Sequence, residues 1–302
     1  STVIGYFNSF IAKFPTLADL AKAPSTEVME RWAGLGYYSR ARKLHKSAQI
    51  CLEKFDADLP RTYAELVALP GIGASTAGAI LSQAYGIPYA ILDGNVKRVL
   101  SRFHGVSGDS NASVTQKQLW QLAESHVPAR KSADYTQAFM DLGATVCTRS
   151  KPKCVSCPLA GQCYAFKNDC IADYPSKKTT KAVPKRETTA LVILNKGDEI
   201  LLQLRPHHGI WGGLFSLPEA GDAEQAQALA RTFVARPDKG QALAIIKHQF
   251  SHFQLSIQPI VWRNTTRKTQ ISDNDGYQWM ARDQLAAIGM PAPIKKLLQD
   301  LK

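Results

Sequence analysis

The sequence predicts a multidomain chain, an all-α domain followed by a smaller α+β domain. Three observations predict it. Apolar residues recur at helical spacing through the first half, whereas from Glu187 onward they alternate or run in short blocks, as strands do. Between the two lies SKKTTKAVPKR, residues 176–186, with five bases and no acid. The expected organisation is a helical domain over residues 1–170, a basic linker over 171–186 and an α+β domain over 187–302. A chain of 302 residues is long enough for two cores.

The elements follow in order. Val3, Ile4, Phe7, Phe10, Ile11 and Phe14 follow helical spacing, and the pattern stops at Pro15. YYSRARKLHKSAQICLEKF is a second amphipathic helix. TYAELVAL opens on a Thr62-x-x-Glu65 capping box and ends at Pro70. ASTAGAILSQAY is a helix whose small residues allow close packing. VTQKQLWQLAESHV begins with Ser113 and Gln116 in capping-box register, and ADYTQAFMDLGATVC leads into a group of cysteines. Beyond the linker, ETTALVILN and EILLQLR read as paired strands around the turn KGD. QALAIIKHQF and HFQLSIQPIVWR read as two more strands. AEQAQALARTFVA, opening at Asp222, and PAPIKKLLQDLK read as helices.

The formal net charge is +12. Residues 1–170 hold 19 Lys and Arg against 13 Asp and Glu, and the part from Glu187 onward is close to neutral. Excess positive charge attracts polyanions, above all nucleic acid phosphates, although it also serves plain solubility. No apolar run approaches the ~20 residues of a membrane span. No signal peptide precedes the first helix, so the expected location is the cytoplasm. Six cysteines in such a chain argue against a disulfide framework.

Two motifs carry chemistry. In LPGIGASTAG, Gly71 and Gly73 let backbone approach a ligand closely, and the following helix offers unpaired N–H groups and the positive end of its dipole. Such a turn clamps a DNA phosphate without reading bases, or simply reverses the chain. Cys147, Cys154, Cys157 and Cys163 have the spacing C-x6-C-x2-C-x5-C. Four thiols this close call for a metal centre, because so short a loop has little core of its own. The spacing leaves zinc and an iron–sulfur cluster both open. Arg149, Lys151 and Lys153 sit in the longest gap, as a basic finger towards phosphates. Cys170 is read as a bystander and Cys51 as a core residue.

The helix–PGIG–helix unit, LDGNVKRVLSR and the cysteine spacing together resemble the endonuclease III superfamily of DNA glycosylases. The resemblance covers residues 1–170. It implies a helix-hairpin-helix, a catalytic aspartate and a 4Fe-4S iron–sulfur cluster on the four cysteines. WAGLGYYSRARKLH, GASTAGAILSQAYG and ILDGNVKRVLSR resemble the MutY-type adenine DNA glycosylases more specifically. GIWGGLFSLPE and HQFSHFQL resemble the Nudix-like domain that follows the cluster in that family and recognises 8-oxoguanine. The helix AEQAQALARTF holds only Glu224 of the acidic residues a Nudix hydrolase needs, so lesion recognition is expected rather than nucleotide hydrolysis.

By position, the resemblance makes Asp93 the carboxylate beside the sugar, where adenine departure generates oxocarbenium-like charge. Asp93 also reads as the N-cap of NVKRVLSR, and the two roles are compatible. Asn95 helps orient the site, and Lys97 contacts a phosphate. Ser75 stands where lyase relatives carry a nucleophilic lysine, so no Schiff base is expected and the enzyme is monofunctional. Tyr37 resembles the wedge that enters the duplex beside a flipped base, and Tyr38 reads as a packed neighbour. Phe250, Ser251 and His252 resemble the segment that reads 8-oxoguanine, with Ser251 as the hydrogen-bonding partner. The expected partner is duplex DNA with 8-oxoguanine·A or G·A mispairs, bound by a monomer and away from any membrane.

The resemblance also implies a general-acid glutamate, with a supporting glutamine, on a helix just upstream of TVIGYF. The sequence begins inside or just after that helix, so the expectation is that the acid lies upstream of residue 1 and that this chain excises adenine poorly. Glu27 and Glu30 are the nearest acids, and nothing in the sequence installs either as a substitute. The alternative is a lesion-binding protein without chemistry. A lyase is disfavoured by Ser75 and by the second domain, and a zinc-binding transcription factor is the most distant reading.

Overall fold

A computed structural model describes residues 2–176, 183–268, 276–286 and 288–301. Ten helices come first: α1 (Thr2–Lys13), α2 (Leu17–Lys22), α3 (Ser25–Trp32), α4 (Ser39–Lys54), α5 (Tyr63–Ala68), α6 (Ala74–Tyr85), α7 (Gly94–His104), α8 (Ser113–Ser125), α9 (Ser132–Asp141) and α10 (Tyr164–Lys167). Then come β1 (Lys185–Asn195), β2 (Glu199–Leu204), β3 (Phe215–Ser216), β4 (Glu219–Ala220), α11 (Ala223–Phe233), β5 (Val234–Ala235), β6 (Gln241–Ala242), β7 (Ile246–Gln249), β8 (Gln254–Arg267), β9 (Tyr277–Ala281) and α12 (Ala292–Asp300). The helical-then-α+β order is the one expected. Lys177, Lys178 and Lys181 of the basic stretch lie outside the described residues, and the stretch ends as the start of β1 at Lys185 and Arg186.

Spatial contacts divide the chain at other points than the linker. One unit joins Ser1–Leu52 to Lys181–Lys302, and the other is Glu53–Thr180. The reason is shared burial. Met29 of α3 and Ala41 of α4 lie in the same apolar cluster as Val192, Leu202 and Phe253, with Trp32 and Tyr38 packed against it.

In the first unit, the sheet runs β3-β2-β1-β8-β5, with β9 on β2, β4 on β1, and β6 and β7 on β8. β1 and β8 are parallel from Lys185↔Gln254 to Asn195↔Thr265. β1 alternates between two covered faces. Ala190, Val192 and Leu194 join the cluster with α12, while Leu191 and Ile193 pack on Ala226, Ala230 and Phe233 of α11. Burial on both sides explains why ALVIL reads as an unbroken apolar run. QALAIIKHQF differs from its expected single strand, because β6 and β7 pair separately with β8 around Leu243–Ile245.

In the second unit, Ala90, Ile91, Leu92, Val96, Leu100, Leu119 and Ala123 form the centre. Thr62 caps α5 as expected, its Oγ1 accepting from Glu65 N at 3.3 Å. The capping box expected at Ser113 does not form. Ala112 is the N-cap and Ser113 is already helical, because a turn closed by Asp109 Oδ1 on Asn111 N starts the helix earlier.

His104, in the last turn of α7, meets His126, the C-cap of α8, with Nε2 atoms 2.8 Å apart. Burial first, and then His126, hold the His104 pKa below its ordinary 6.5. The unfolded chain therefore binds this proton more readily than the folded one. The stability involved is present above the unfolded value and is lost as pH falls through and below about 6.5. The urea midpoint should drop between about pH 7.5 and pH 5.5 more steeply in the wild type than in His104→Gln. Parallel profiles would contradict this.

Candidate active site and cysteine centre

The PGIG segment joins α5 to α6 as a hairpin. Gly71 has φ +87°, which only glycine adopts without strain, and Ile72 N closes the turn on Leu69 O at 3.2 Å. Gly73 is the N-cap of α6 and supplies no side-chain cap, so the first amides of the helix stay open to an external acceptor. Ser75, in that first turn, accepts from Leu92 N at 3.1 Å. Its hydroxyl thus holds the segment that delivers Asp93.

The same segment packs closely on α6. A Cβ at Gly78 would run into the Ala90 carbonyl oxygen. Gly78→Ala should therefore cost about 1–3 kcal/mol, read from urea unfolding, by pushing Ala90–Leu92 outward. An unchanged midpoint would mean that the segment yields without cost.

Asp93 is half-buried and N-caps α7. Its Oδ1 accepts from Asn95 N at 3.0 Å and from Val96 N at 2.8 Å. Oδ2 takes part in neither bond. The carboxylate therefore sits at the positive end of α7, held by one oxygen and offering the other. Asn95 Oδ1 accepts from Arg98 Nη2 at 2.9 Å, and Lys97 Nζ reaches Asn111 Oδ1 at 3.3 Å.

Two arginines missed in the sequence tie α7 to the cysteine loop. Arg98 donates through Nε to Cys147 O at 2.7 Å and through Nη2 to Gly143 O at 2.6 Å. Arg102 is only 5% exposed. It donates to Tyr174 O at 2.9 Å, Thr148 O at 2.8 Å and Arg149 O at 3.1 Å, and its Nη1 lies 3.4 Å from Cys147 Sγ. The available signal was position: Arg102 falls among Val99, Leu100 and Phe103, on the apolar stripe of the helix. A further row was also missed, in which Gln83 Nε2 donates to Gln137 Oε1 at 3.1 Å and Gln137 Nε2 to Asp141 Oδ1 at 2.9 Å.

Cys147, Cys154, Cys157 and Cys163 line one cavity of about 30 Å³, together with Arg102, Val146, Phe166 and Ile171. All four thiols are free of disulfides. Burial, then Cys147, pushes the Cys154 thiol pKa up; Arg102 opposes this, and Cys163 and Cys157 add to it. The four sulfurs thus feel one another across a shared space. Among the described residues no group of three or more His, Cys, Asp or Glu side chains is placed to hold a metal ion. Arg149, Lys151 and Lys153 are all exposed on the loop.

In the other unit, Tyr37 is 68% exposed at φ +48°, with the Arg40 guanidinium 5.1 Å from its ring centroid. Tyr38 is half-buried, and its hydroxyl accepts from Gly34 N at 3.3 Å. Ser251 and His252 are exposed at the tip of the β7–β8 hairpin, Ser251 Oγ being 3.3 Å from His252 Nδ1. Phe250 stacks on Phe253 at 4.5 Å between ring centroids. Glu27 is bound to Lys13 at 2.6 Å. Glu224 is exposed in the first turn of α11.

A helical hairpin followed by a capped carboxylate, on a chain that also carries an α+β sheet, defines a class: a helix-hairpin-helix DNA glycosylase with a Nudix-like domain. The family model described as "HhH-GPD superfamily base excision DNA repair protein" matches residues 1–125, and the NUDIX domain model matches residues 189–300. The chain is 36% identical over 301 residues to the adenine DNA glycosylase of Buchnera aphidicola subsp. Baizongia pistaciae (strain Bp), covering 100% of this chain and 85% of that protein. It is 31% identical to the adenine DNA glycosylase of Homo sapiens, covering 99% of this chain and 65% of that protein. A solved thermostable thymine-DNA glycosylase shares 30% identity at a TM-score of 0.50, over 55% of this chain and 76% of that one. The chain belongs to the adenine DNA glycosylase family. It is a base-excision repair enzyme, and the reading as a binding protein without chemistry is not favoured. No helix among the described residues is long and apolar enough to cross a membrane.

Proposed function

We propose that this glycosylase removes adenine paired with 8-oxoguanine, or with guanine, by hydrolysing its N-glycosidic bond. The observation that carries the reading is Asp93: one carboxylate oxygen is fixed by two backbone amides, leaving the other for the sugar. As adenine departs, positive charge grows on the sugar, and a fixed carboxylate stabilises it more than mobile water does. Asn95 orients the turn through Arg98. Ser75 cannot form a Schiff base, so water completes the reaction and no lyase step follows. Gly71, Gly73, Ser75 and Lys97 face the DNA backbone, joined by Arg149, Lys151 and Lys153 of the cysteine loop. Tyr37 enters the duplex, while Phe250, Ser251 and His252 read 8-oxoguanine.

A 4Fe-4S cluster fits the donor set of Cys147, Cys154, Cys157 and Cys163, four free thiols around one space beside the Arg102 cation. Bound there, it supplies cross-links that hold the basic loop in shape. In this reading residues 1–170 form the glycosylase domain, 171–186 the linker and 187–302 the lesion-reading domain of a cytoplasmic monomer acting on duplex DNA.

Single-turnover adenine release tests this on duplexes holding one 8-oxoguanine·A, G·A or T·A pair. Release should be fastest from the first and absent from the last, and borohydride should trap no covalent adduct. Release from T·A, or a trapped adduct, would refute the substrate or the mechanism respectively.

A further inference from the structure

Helix α4 begins two residues after Tyr37, and its fourth residue reaches the sheet domain. Arg42 Nη1 donates to Gly212 O at 2.6 Å, across 170 positions of sequence and within one compact unit. Arg42 is half-buried, and burial pulls its pKa down from the ordinary arginine value. Its acceptor is no casual carbonyl. Gly212 lies in a turn folded tightly on itself: a Cβ there would meet Pro206 O at 2.7 Å and His207 O at 2.9 Å. Trp211 and Gly213 on either side have φ +55° and +76°, and the strained tryptophan needs its surroundings to hold it.

Trp211 is 5% exposed and lies 5.4 Å from the Phe250 ring. Phe250 N closes the β7–β8 hairpin on Phe253 O at 2.9 Å, with Ser251 at the exposed tip. Contacts therefore run unbroken from the helix that follows Tyr37, through Arg42 and the Trp211–Gly212 turn, to the residue before Ser251.

We propose that Arg42 is a positioning residue for lesion recognition: it sets the Ser251 hairpin relative to Tyr37, so that preference for 8-oxoguanine over guanine opposite adenine depends on it from inside the protein. The proposal rests on the assignment of Tyr37 and Ser251 to the lesion. A charged donor to a backbone carbonyl is among the stronger hydrogen bonds, and its removal leaves Gly212 O without that partner. Arg42→Met keeps the stem packed while deleting the donor, and Arg42→Lys returns one.

The test compares binding and single-turnover release on 8-oxoguanine·A and G·A duplexes, at a temperature where circular dichroism shows every variant folded. Ser251→Ala should lower the preference for the lesion. Arg42→Met should lower it about tenfold, Arg42→Lys should restore part of it, and Arg42→Met with Ser251→Ala should lose no more than the larger single effect. A merely structural arginine would depress both duplexes alike and leave the ratio unmoved, which would overturn the proposal. Full additivity in the double variant would overturn it too. If Ser251→Ala keeps the full preference, the assignment of the hairpin itself fails and the proposal falls with it.

Discussion

Asp93→Asn is expected to keep its fold and lose adenine release. Asparagine is isosteric with aspartate and caps a helix about as well, so the bonds from Asn95 N and Val96 N survive on its carbonyl oxygen. Stability should move by less than about 0.5 kcal/mol. What goes is the carboxylate's negative charge, which in the proposed reaction faces the sugar. Removing one fixed electrostatic stabiliser typically costs about 10²–10³ in rate, and here the charge itself is lost, so ~10³ or more is expected. Asp93→Ala separates the two roles, because it should lose the same activity and about 1 kcal/mol of stability besides. Single-turnover release on the 8-oxoguanine·A duplex, beside thermal melts, measures both. An asparagine variant releasing adenine near the wild-type rate would reassign the catalytic carboxylate.

The parts of this molecule that were legible in its sequence are those with local causes. α6 matches ASTAGAILSQAY residue for residue, because Gly73 opens it and Gly86, at φ +66°, ends it. The Asp93 cap was readable for the same reason: an aspartate before a helical apolar stripe has few other places to put its side chain. The gathering of Cys147, Cys154, Cys157 and Cys163 around one space was readable from their spacing. The illegible parts depend on distant partners. Parallel pairing of β1 with β8 leaves no turn between them to read, since their paired residues Lys185 and Gln254 lie far apart in sequence. The grouping of α1–α4 with the sheet domain was hidden likewise. Trp32 and Tyr38 look the same in sequence whether they pack on helices or on a sheet.

The bonds made by Arg42 and Arg98, both half-buried, and by the buried Arg102 are the least legible part of the molecule. A base in an amphipathic helix ordinarily lies at the surface, and the sequence names no distant carbonyl for Arg98, Arg102 or Arg42. Each is used instead as a donor that spans elements. The guanidinium suits this, because its donors point in fixed and separate directions and backbone carbonyls at loop ends need them. Ser75 carries a related lesson. It was read as the absence of a lysine nucleophile, and the structure gives it a task of its own at Leu92 N.

Arg102→Met should have the larger effect on the fold. The substitution keeps an apolar stem of similar length in a site that is 5% exposed, so little packing is lost. It leaves Tyr174 O, Thr148 O and Arg149 O without their guanidinium donor. The three bonds are part-buried and Arg149 is exposed, so water recovers some of the loss; at about 1 kcal/mol per lost bond the sum is ~3 kcal/mol, a sizeable part of the ~5–15 kcal/mol that holds a typical domain. The cation 3.4 Å from Cys147 Sγ also disappears. Arg102→Lys should not rescue, because one ammonium on a flexible stem cannot serve three carbonyls in three directions. The readouts are the urea midpoint and the iron retained per chain after purification, and both should fall in both variants. A methionine variant with wild-type midpoint and full iron would show that the loop is held by its cysteines alone. Loss of iron at an unchanged midpoint would place the arginine's contribution in the centre and not in the fold.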